Sequence, residues 1–308
     1  MNHNKGIHHI TAIAGDPQRN LSFYTRTLGM RLVKKTVNFD DPSVYHFYFA
    51  DATGTPGTVL TFFPWKNAVK GSPDRGQVVA VSFAVPSDSR SFWIDHLDDQ
   101  NVDYEPSFIR FGGERIGLQD PDGLHLELVF DESADGVEGW EGGSVPDEHA
   151  IRGFHGATLA VEDHEPTAQP LKQYLGFEKS GQEENRHLFE TEALFGSKIE
   201  IIDGSELQGR MGRGTVHHIA FRAEDSQEQH EIQSNLNAEG YHVTEIKDRQ
   251  YFQSIYFHEP GGVLFEVATD GPGFTIDEAP AELGNELQLP PWLEKRRNQI
   301  AQQLPDVR

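Results

Sequence analysis

At 308 residues the chain is long enough for one large domain or two ordinary ones, and its 49 acidic against 26 basic residues give a net charge of −23. That balance repels nucleic acid and anionic membrane surfaces, so neither is expected as a partner. Hydrophobic content of 36% and charged content of 24% describe a soluble globular chain, and the lack of cysteine excludes disulfides, thiolate ligands and a cysteine nucleophile. No apolar run approaches a membrane span, and Met1-Asn2-His3-Asn4-Lys5 lacks the basic-then-apolar layout of a signal peptide. The expected compartment is the cytoplasm.

Along the chain, four units of one plan follow one another. Each has an apolar strand ending near an acidic residue, a helical stretch, then strands, the last entered through a Gly-bearing turn. The first unit spans residues 6–65. Its opening strand is His8 to Ala14, Asp16 caps a helix through Leu21, Phe23, Tyr24 and Leu28, and Gly29 ends it. Strands follow over Arg31 to Phe39, Tyr45 to Ala50 and Gly57 to Phe63. The second unit, 77–131, has a strand over Val78 to Val85, Asp88 as its acidic residue, a helix marked by Phe92, Trp93 and Leu97, and a last strand after Asp120-Pro121-Asp122-Gly123. Residues 132–152, rich in Gly, Asp and Glu, read as a linker. The third unit, 153–203, has Asp163, a helix near Leu171 to Leu175 and a last strand Ser197 to Ile202. The fourth, 216–270, has Asp225, a helix through Ile232 and Leu236, strands near Tyr241 to Ile246 and Gln253 to Phe257, and a last strand after Glu259-Pro260-Gly261-Gly262. Residues 271–308 form a tail with a short helix near Trp292 to Leu304, started by Pro290 and Pro291. The expected fold is α+β, four tandem βαβββ modules forming two half-barrel pairs. In sequence order the domains are 1–131 and 153–270.

Gly6-Ile7-His8-His9-Ile10-Thr11 near the start returns as Gly214-Thr215-Val216-His217-His218-Ile219. Counting seven positions back from each acidic residue gives His9, Val81, Gly156 and His218. Counting four on from the Gly of each last turn gives Thr61, Glu127, Glu200 and Glu266. Units one and four together supply His9, His218, Glu266 and Thr61. Two neutral imidazoles and one carboxylate form a facial triad, a set that suits Fe(II), with Mn(II) as the substitute, and leaves positions open for substrate and dioxygen. Units two and three lack the imidazole, and His155 lies one register off. Glu127 and Glu200 are therefore expected to pair with local bases or face solvent, and no metal is expected there.

The repeated module, with His on its first strand and Glu on its last, resembles the vicinal oxygen chelate superfamily of glyoxalase I, bleomycin-resistance proteins and extradiol dioxygenases. Within it, the two His-His segments, Tyr45-His46-Phe47-Tyr48-Phe49-Ala50-Asp51, Gly54-Thr55-Pro56-Gly57-Thr58 and Pro260-Gly261-Gly262-Val263-Leu264-Phe265-Glu266 resemble the hydroquinone 1,2-dioxygenase branch. The resemblance covers nearly the whole chain. It implies metal ligands His9, His218 and Glu266, the set already reached by counting. It also implies second-sphere residues at His8, Thr11, His217, Arg249 and Tyr256. The segment Asp248-Arg249-Gln250-Tyr251-Phe252 is shorter than in the chlorohydroquinone-cleaving members.

The chemistry so implied is ring cleavage of a hydroquinone or catechol by dioxygen. Tyr256 is a candidate proton donor, Arg249 an anion holder, and His217, ranked above His8, an acid or base. Thr11 shares the parity of His9 and is expected to face the same cavity, whereas simple alternation turns His8 and His217 away unless a bulge intervenes. Phe47, Phe62, Phe63, Phe252 and Phe265 read as core, some of them candidates for an aromatic-accepting wall. Two other functions compete. A glyoxalase-like isomerase or lyase needs a fourth ligand where Thr61 stands. A non-catalytic small-molecule-binding protein has no need of an intact triad. Oligomerisation is open.

Overall fold

The computed structural model describes residues 5–308; Met1–Asn4, part of the stretch judged unlike a signal peptide, lie outside the described residues. Module one consists of β1 (Ile7–Ala14), α1 (Pro17–Ser22, continued by a π-helical turn over Phe23–Thr27), β2 (Arg31–Val37), β3 (Tyr45–Ala50) and β4 (Val59–Pro64). Module two has β5 (Gln77–Pro86), α2 (Arg90–Asp99), β6 (Phe108–Arg110), β7 (Gly113–Gln119) and β8 (His125–Asp131). Module three has β9 (Gly153–Ala160), α3 (His164–Gln173), β10 (Glu178–Glu183), β11 (Arg186–Glu190) and β12 (Lys198–Ile202). Module four has β13 (Thr215–Ala223), α4 (Ser226–Ala238), β14 (Lys247–Asp248), β15 (Gln253–His258) and β16 (Leu264–Thr269). α5 (Arg297–Gln303) closes the chain. No helix among the described residues is long and apolar enough to cross a membrane.

Two eight-stranded sheets result, ordered β14-β15-β16-β13-β1-β4-β3-β2 and β10-β11-β12-β9-β5-β8-β7-β6. Each is two modules joined through their opening strands, which run antiparallel: β1 on β13 and β5 on β9. These opening strands sit at the sheet centres, so β1 and β9 are buried at every position, their polar residues His8, His9, Thr11, His155 and Thr158 included. The partnering is one with four and two with three, so each sheet takes one module from either sequence half. One continuous apolar core, including Ile7, Ile219, Phe83 and Phe154, joins the two sheets.

Asp16, Asp163 and Asp225 cap α1, α3 and α4, each side chain accepting a backbone N–H of the first turn. At α2 the cap position belongs to Ser89, not to Asp88. β5 is ten residues long, and its extra length moves the acidic marker out of step. The strand expected near Tyr241 to Ile246 is not regular; only Lys247–Asp248 pair with β15. Thr244 explains this. Its N–H donates to the Tyr256 carbonyl, but the Tyr256 N–H goes to the Thr244 hydroxyl, so a side chain takes a ladder position. The tail helix begins at Arg297, later than Pro290 and Pro291 suggest, after a 3-10 turn over Glu294–Arg296. Upstream, the tail is fastened to β2 by the fully buried Lys34, which binds Asp277 at 2.6 Å and also Glu278.

Candidate metal centre and cavity

The ladders of the first sheet carry His9, His218 and Glu266 to one point. Thr11 on β1 faces His218 on β13, and Ala220 on β13 faces Glu266 on β16. Gly262, at φ 97°, forms the left-handed corner of the turn before β16 and so sets where Glu266 falls. The ligand atoms of His9, His218 and Glu266 lie within 4.8 Å of one another, and all three residues are buried.

The donor set fits a metal ion on a structural observation. Glu266 is fully buried; its Oε1 accepts the Ser254 hydroxyl, while Oε2 has no hydrogen-bond partner among the described residues. That orphaned oxygen stands 2.9 Å from Nε2 of His218 and 3.4 Å from Nε2 of His9. Burial works against the carboxylate charge, but the facing imidazoles of His9 and His218 outweigh it and hold the carboxyl well below its usual range. An acceptor left bare between two imidazole nitrogens is the arrangement a divalent cation completes.

Both residues that alternation had turned away are bulge residues. In the β1–β13 ladder Ile7 pairs with Phe221 and His9 with Ala220, so His8 is extra on β1. Thr11 pairs with His218 and Ala12 with Val216, so His217 is extra on β13. Each bulge swings its imidazole onto the neighbouring ligand: His8 Nδ1 is 2.9 Å from His9 Nδ1, and His217 Nδ1 is 2.8 Å from His218 Nδ1. A ligand imidazole presenting Nε2 to Glu266 keeps its proton on Nδ1. His9 therefore donates to His8 and His218 to His217, which fixes both ligand rings. Burial, then the adjacent His218, lowers His217 to about 3, so it stays neutral and can accept. His217 lines the cavity; His8 is buried against Phe252. Thr11 is fully buried, accepts the Thr61 hydroxyl at 2.8 Å and does not reach the cavity surface.

Over the triad opens a cavity of about 310 Å³. Phe252, against His9 at 5.0 Å between ring centroids, and Phe63, against His46 at 4.4 Å, supply aromatic walls, while Phe47, Phe62 and Phe265 are fully buried in the core. Tyr256 and Arg249 line it together: Arg249 Nε donates to the Tyr256 hydroxyl at 3.2 Å and Nη1 to Asp40 at 3.0 Å. Burial, then the Glu266 charge, pushes the Tyr256 phenol up, so it is a proton carrier at neutral pH. The sequence reading missed His46, Tyr48 and Ser254. His46 and Tyr48 also line the cavity, and Ser254 holds Glu266 from behind. Parity along Tyr45–Ala50 would have placed the His46 and Tyr48 side chains on one face.

The matching place in the second sheet is filled differently. Glu127 and Glu200 are clamped by two buried guanidinium groups: Arg110 reaches both oxygens of Glu127 at 2.7 and 2.8 Å, and Arg115 Nη1 lies 3.0 Å from each glutamate. Ladder register corrects one slot. Ser82 faces Glu127 as Thr11 faces Thr61, so the residue matching His9 is Ala80 and not Val81. The longer β5 accounts for the shift, since it runs to Pro86, six residues past Ala80, where β1 ends at Ala14, five past His9. His155 bonds Lys198 at 3.0 Å. Elsewhere in module three His164, His187 and Asp203 cluster, but their imidazoles stack face to face at 3.5 Å and 8°, so a single ion cannot lie in both ring planes.

Comparison with known proteins agrees with this architecture. The Glyoxalase/Bleomycin resistance protein/Dioxygenase superfamily profile matches residues 6–128 and 153–267. The chain is 46% identical over 299 residues to a Bacillus subtilis (strain 168) protein named "Putative ring-cleaving dioxygenase MhqO", covering 97% of this chain and 95% of that one. It is 34% identical over 310 residues to the "Chlorohydroquinone/hydroquinone 1,2-dioxygenase" of Sphingobium indicum, covering 98% and 96%. A crystal structure described as a putative dioxygenase from Bacillus subtilis superposes with a TM-score of 0.95 at 44% identity, over 100% of this chain and 99% of that one. Two sheets of paired βαβββ modules and a match over both sequence halves lead to one assignment: the chain belongs to the glyoxalase/bleomycin resistance protein/dioxygenase superfamily.

Proposed function

We propose that the chain is an Fe(II)-dependent ring-cleaving dioxygenase of extradiol type that inserts O2 into a hydroquinone, between a hydroxyl-bearing carbon and its neighbour, in aromatic detoxification or catabolism. The observation that carries this reading is the bare Glu266 Oε2 between two imidazole Nε2 atoms, whose histidines, His9 and His218, line an aromatic-walled cavity. The dioxygenase names of relatives matched over nearly the whole chain support it. His9, His218 and Glu266 would hold the iron. Fe(II) supplies a redox-active Lewis acid that lets triplet dioxygen react with a closed-shell phenol.

The chain's own groups orient the ring and handle protons. A catechol can chelate through two oxygens, but a para-hydroquinone offers one, so protein groups must fix its orientation. Phe63 and Phe252 exclude water, and the cavity volume of about 310 Å³ suits a single-ring substrate. Because Arg249 donates to the Tyr256 oxygen, the Tyr256 proton is left for the substrate. Arg249 also holds developing negative charge. His217, accepting at Nδ1, presents Nε2–H. An isomerase of the glyoxalase kind is disfavoured because Thr61 stands in the fourth-ligand place with its oxygen already taken by His46 and Thr11, each at 2.8 Å.

Oxygen uptake by ferrous-loaded protein with hydroquinones and with catechols tests the reading. One iron per chain and uptake with hydroquinones are expected. Glu266→Ala should lose metal and activity together, and Tyr256→Phe should slow turnover by roughly 10²-fold or more with metal content unchanged. Uptake with catechols alone, or full metal content in Glu266→Ala, contradicts it.

A further inference from the structure

The internal twofold relating module one to module four also relates the two cavity tyrosines. Tyr48 faces Thr61 across β3 and β4 as Tyr256 faces Glu266 across β15 and β16. His46 and Ser254, each two residues earlier, hold matching places: His46 bonds Thr61, and Ser254 bonds Glu266. The hydrogen bonds around the two tyrosines run in opposite senses. Tyr256 accepts from a guanidinium, so its proton points outward. On the other side, the Thr61 hydroxyl donates to Thr11 at 2.8 Å, so Thr61 must accept from His46 Nε2–H, also at 2.8 Å. That leaves His46 Nδ1 as an acceptor, and the Tyr48 hydroxyl, 2.8 Å away, donates to it. Tyr48 thus turns a free lone pair to the cavity and has a base behind its own proton.

We propose that Tyr48 and His46 form the base that removes the substrate's hydroxyl proton, opposite the Tyr256–Arg249 acid; this rests on the ring-cleaving reading. The substrate O–H bond breaks as its proton bonds to the Tyr48 oxygen, and the Tyr48 O–H proton passes to His46 Nδ1. The products are a substrate phenolate, a neutral Tyr48 and a His46 imidazolium whose Nε2–H still donates to Thr61. No electrons are exchanged, and the −1 on the phenolate balances the +1 on the ring. The titratable and charged groups acting on His46 are His9 on β1, His218 on β13, Arg249 beside β15 and Glu266 on β16, with Tyr48 on its own strand. Burial first, then His9, His218 and Arg249, hold the His46 imidazole well below its usual range in the empty site; Glu266 favours the imidazolium, and the new phenolate adds to it as the proton moves.

The other cavity groups cannot serve as the base. His217 spends Nδ1 on His218, Lys247 and Arg249 are cations, and Asp40 is held by Arg249 at 3.0 Å.

The test uses iron-loaded protein under argon and 4-nitrophenol, whose phenolate is visibly coloured. Absorbance reports phenolate formed on binding, and an indicator dye in weak buffer reports protons released. At about pH 5.5, where the free phenol stays protonated, wild type should form bound phenolate with no proton released. His46→Gln, which keeps a donor to Thr61, and Tyr48→Phe should each cut the phenolate fraction at least tenfold, and any phenolate still formed should release its proton. Turnover of hydroquinone should fall by about 10²–10⁴-fold in both. Wild type that fails to bind the phenol, or releases one proton per phenolate, overturns the proposal, as does a His46→Gln variant that behaves as wild type. A ring-cleaving reading that fails shows instead as absent oxygen uptake in wild type, whatever the proton count.

Discussion

Replacing Ser254 with alanine removes one hydroxyl and tests the metal centre where sequence counting could not reach it. Ser254 is fully buried on β15 and is the hydrogen-bond donor to Glu266 Oε1. Without metal, His9 or His218, whose Nε2 atoms lie 3.4 and 2.9 Å from Oε2, is free to carry its proton on Nε2 and donate to the freed carboxylate, recovering part of the loss. With metal bound, Oε2 is committed and Oε1 is left bare in a dry site. The loss therefore appears mainly as weaker binding. A hydrogen bond to a buried charged acceptor contributes about 1.5–3 kcal/mol. At about 1.4 kcal/mol per decade that is roughly 10–100-fold in the metal dissociation constant, the range for groups that orient a ligand. Competition of the variant and wild type against a chromophoric chelator reads it directly, with circular dichroism to check the fold. A dissociation constant within twofold of wild type would refute the argument that Ser254 orients Glu266.

Arg115→Met should destabilise the chain by about 3–5 kcal/mol in denaturant unfolding, because Glu127 and Glu200 lose a shared buried cation, while iron stoichiometry stays at one per chain. Unchanged stability, or a lost iron, goes against that prediction. Asp120 gives a pH signature. Burial, and then the Asp122 charge against several backbone N–H bonds, raises its carboxyl from 3.8 to about 6. A raised carboxyl favours the protonated folded state, so its stabilising contribution is present below 3.8 and lost as pH rises through 6. Asp120→Asn keeps the oxygen that accepts from the Asp122, Gly123 and Leu124 N–H groups and can donate to Tyr24. Between pH 4 and 7 the variant should gain about 2–3 kcal/mol relative to wild type; parallel stability curves would exclude this.

Much of the centre was legible because it rests on counts within a module. The seven-residue step from His9 to Asp16 and from His218 to Asp225 measures a strand and its cap, and the four-residue step from Gly262 to Glu266 measures a turn and half a strand. Such distances are set by local covalent geometry, so repeats of the plan repeat the slots. The same local counting failed in module two, where a longer strand moved the slot from Val81 to Ala80.

What tertiary structure decided is how modules meet. Nothing local states that module one pairs with module four, yet only that pairing sets His9 beside His218. The bulges at His8 and His217 depend on the opposing strand's register, so alternation along one strand points both residues the wrong way. His46, Tyr48 and Ser254 owe their positions to Thr61 and Glu266 on neighbouring strands, and Asp277 reaches Lys34 from 243 residues away. Spacing along the chain identified the residues able to bind a metal, because ligand type and strand period are local properties. Which imidazole nitrogen is free, which hydroxyl donates and which face is dry follow from packing between distant segments.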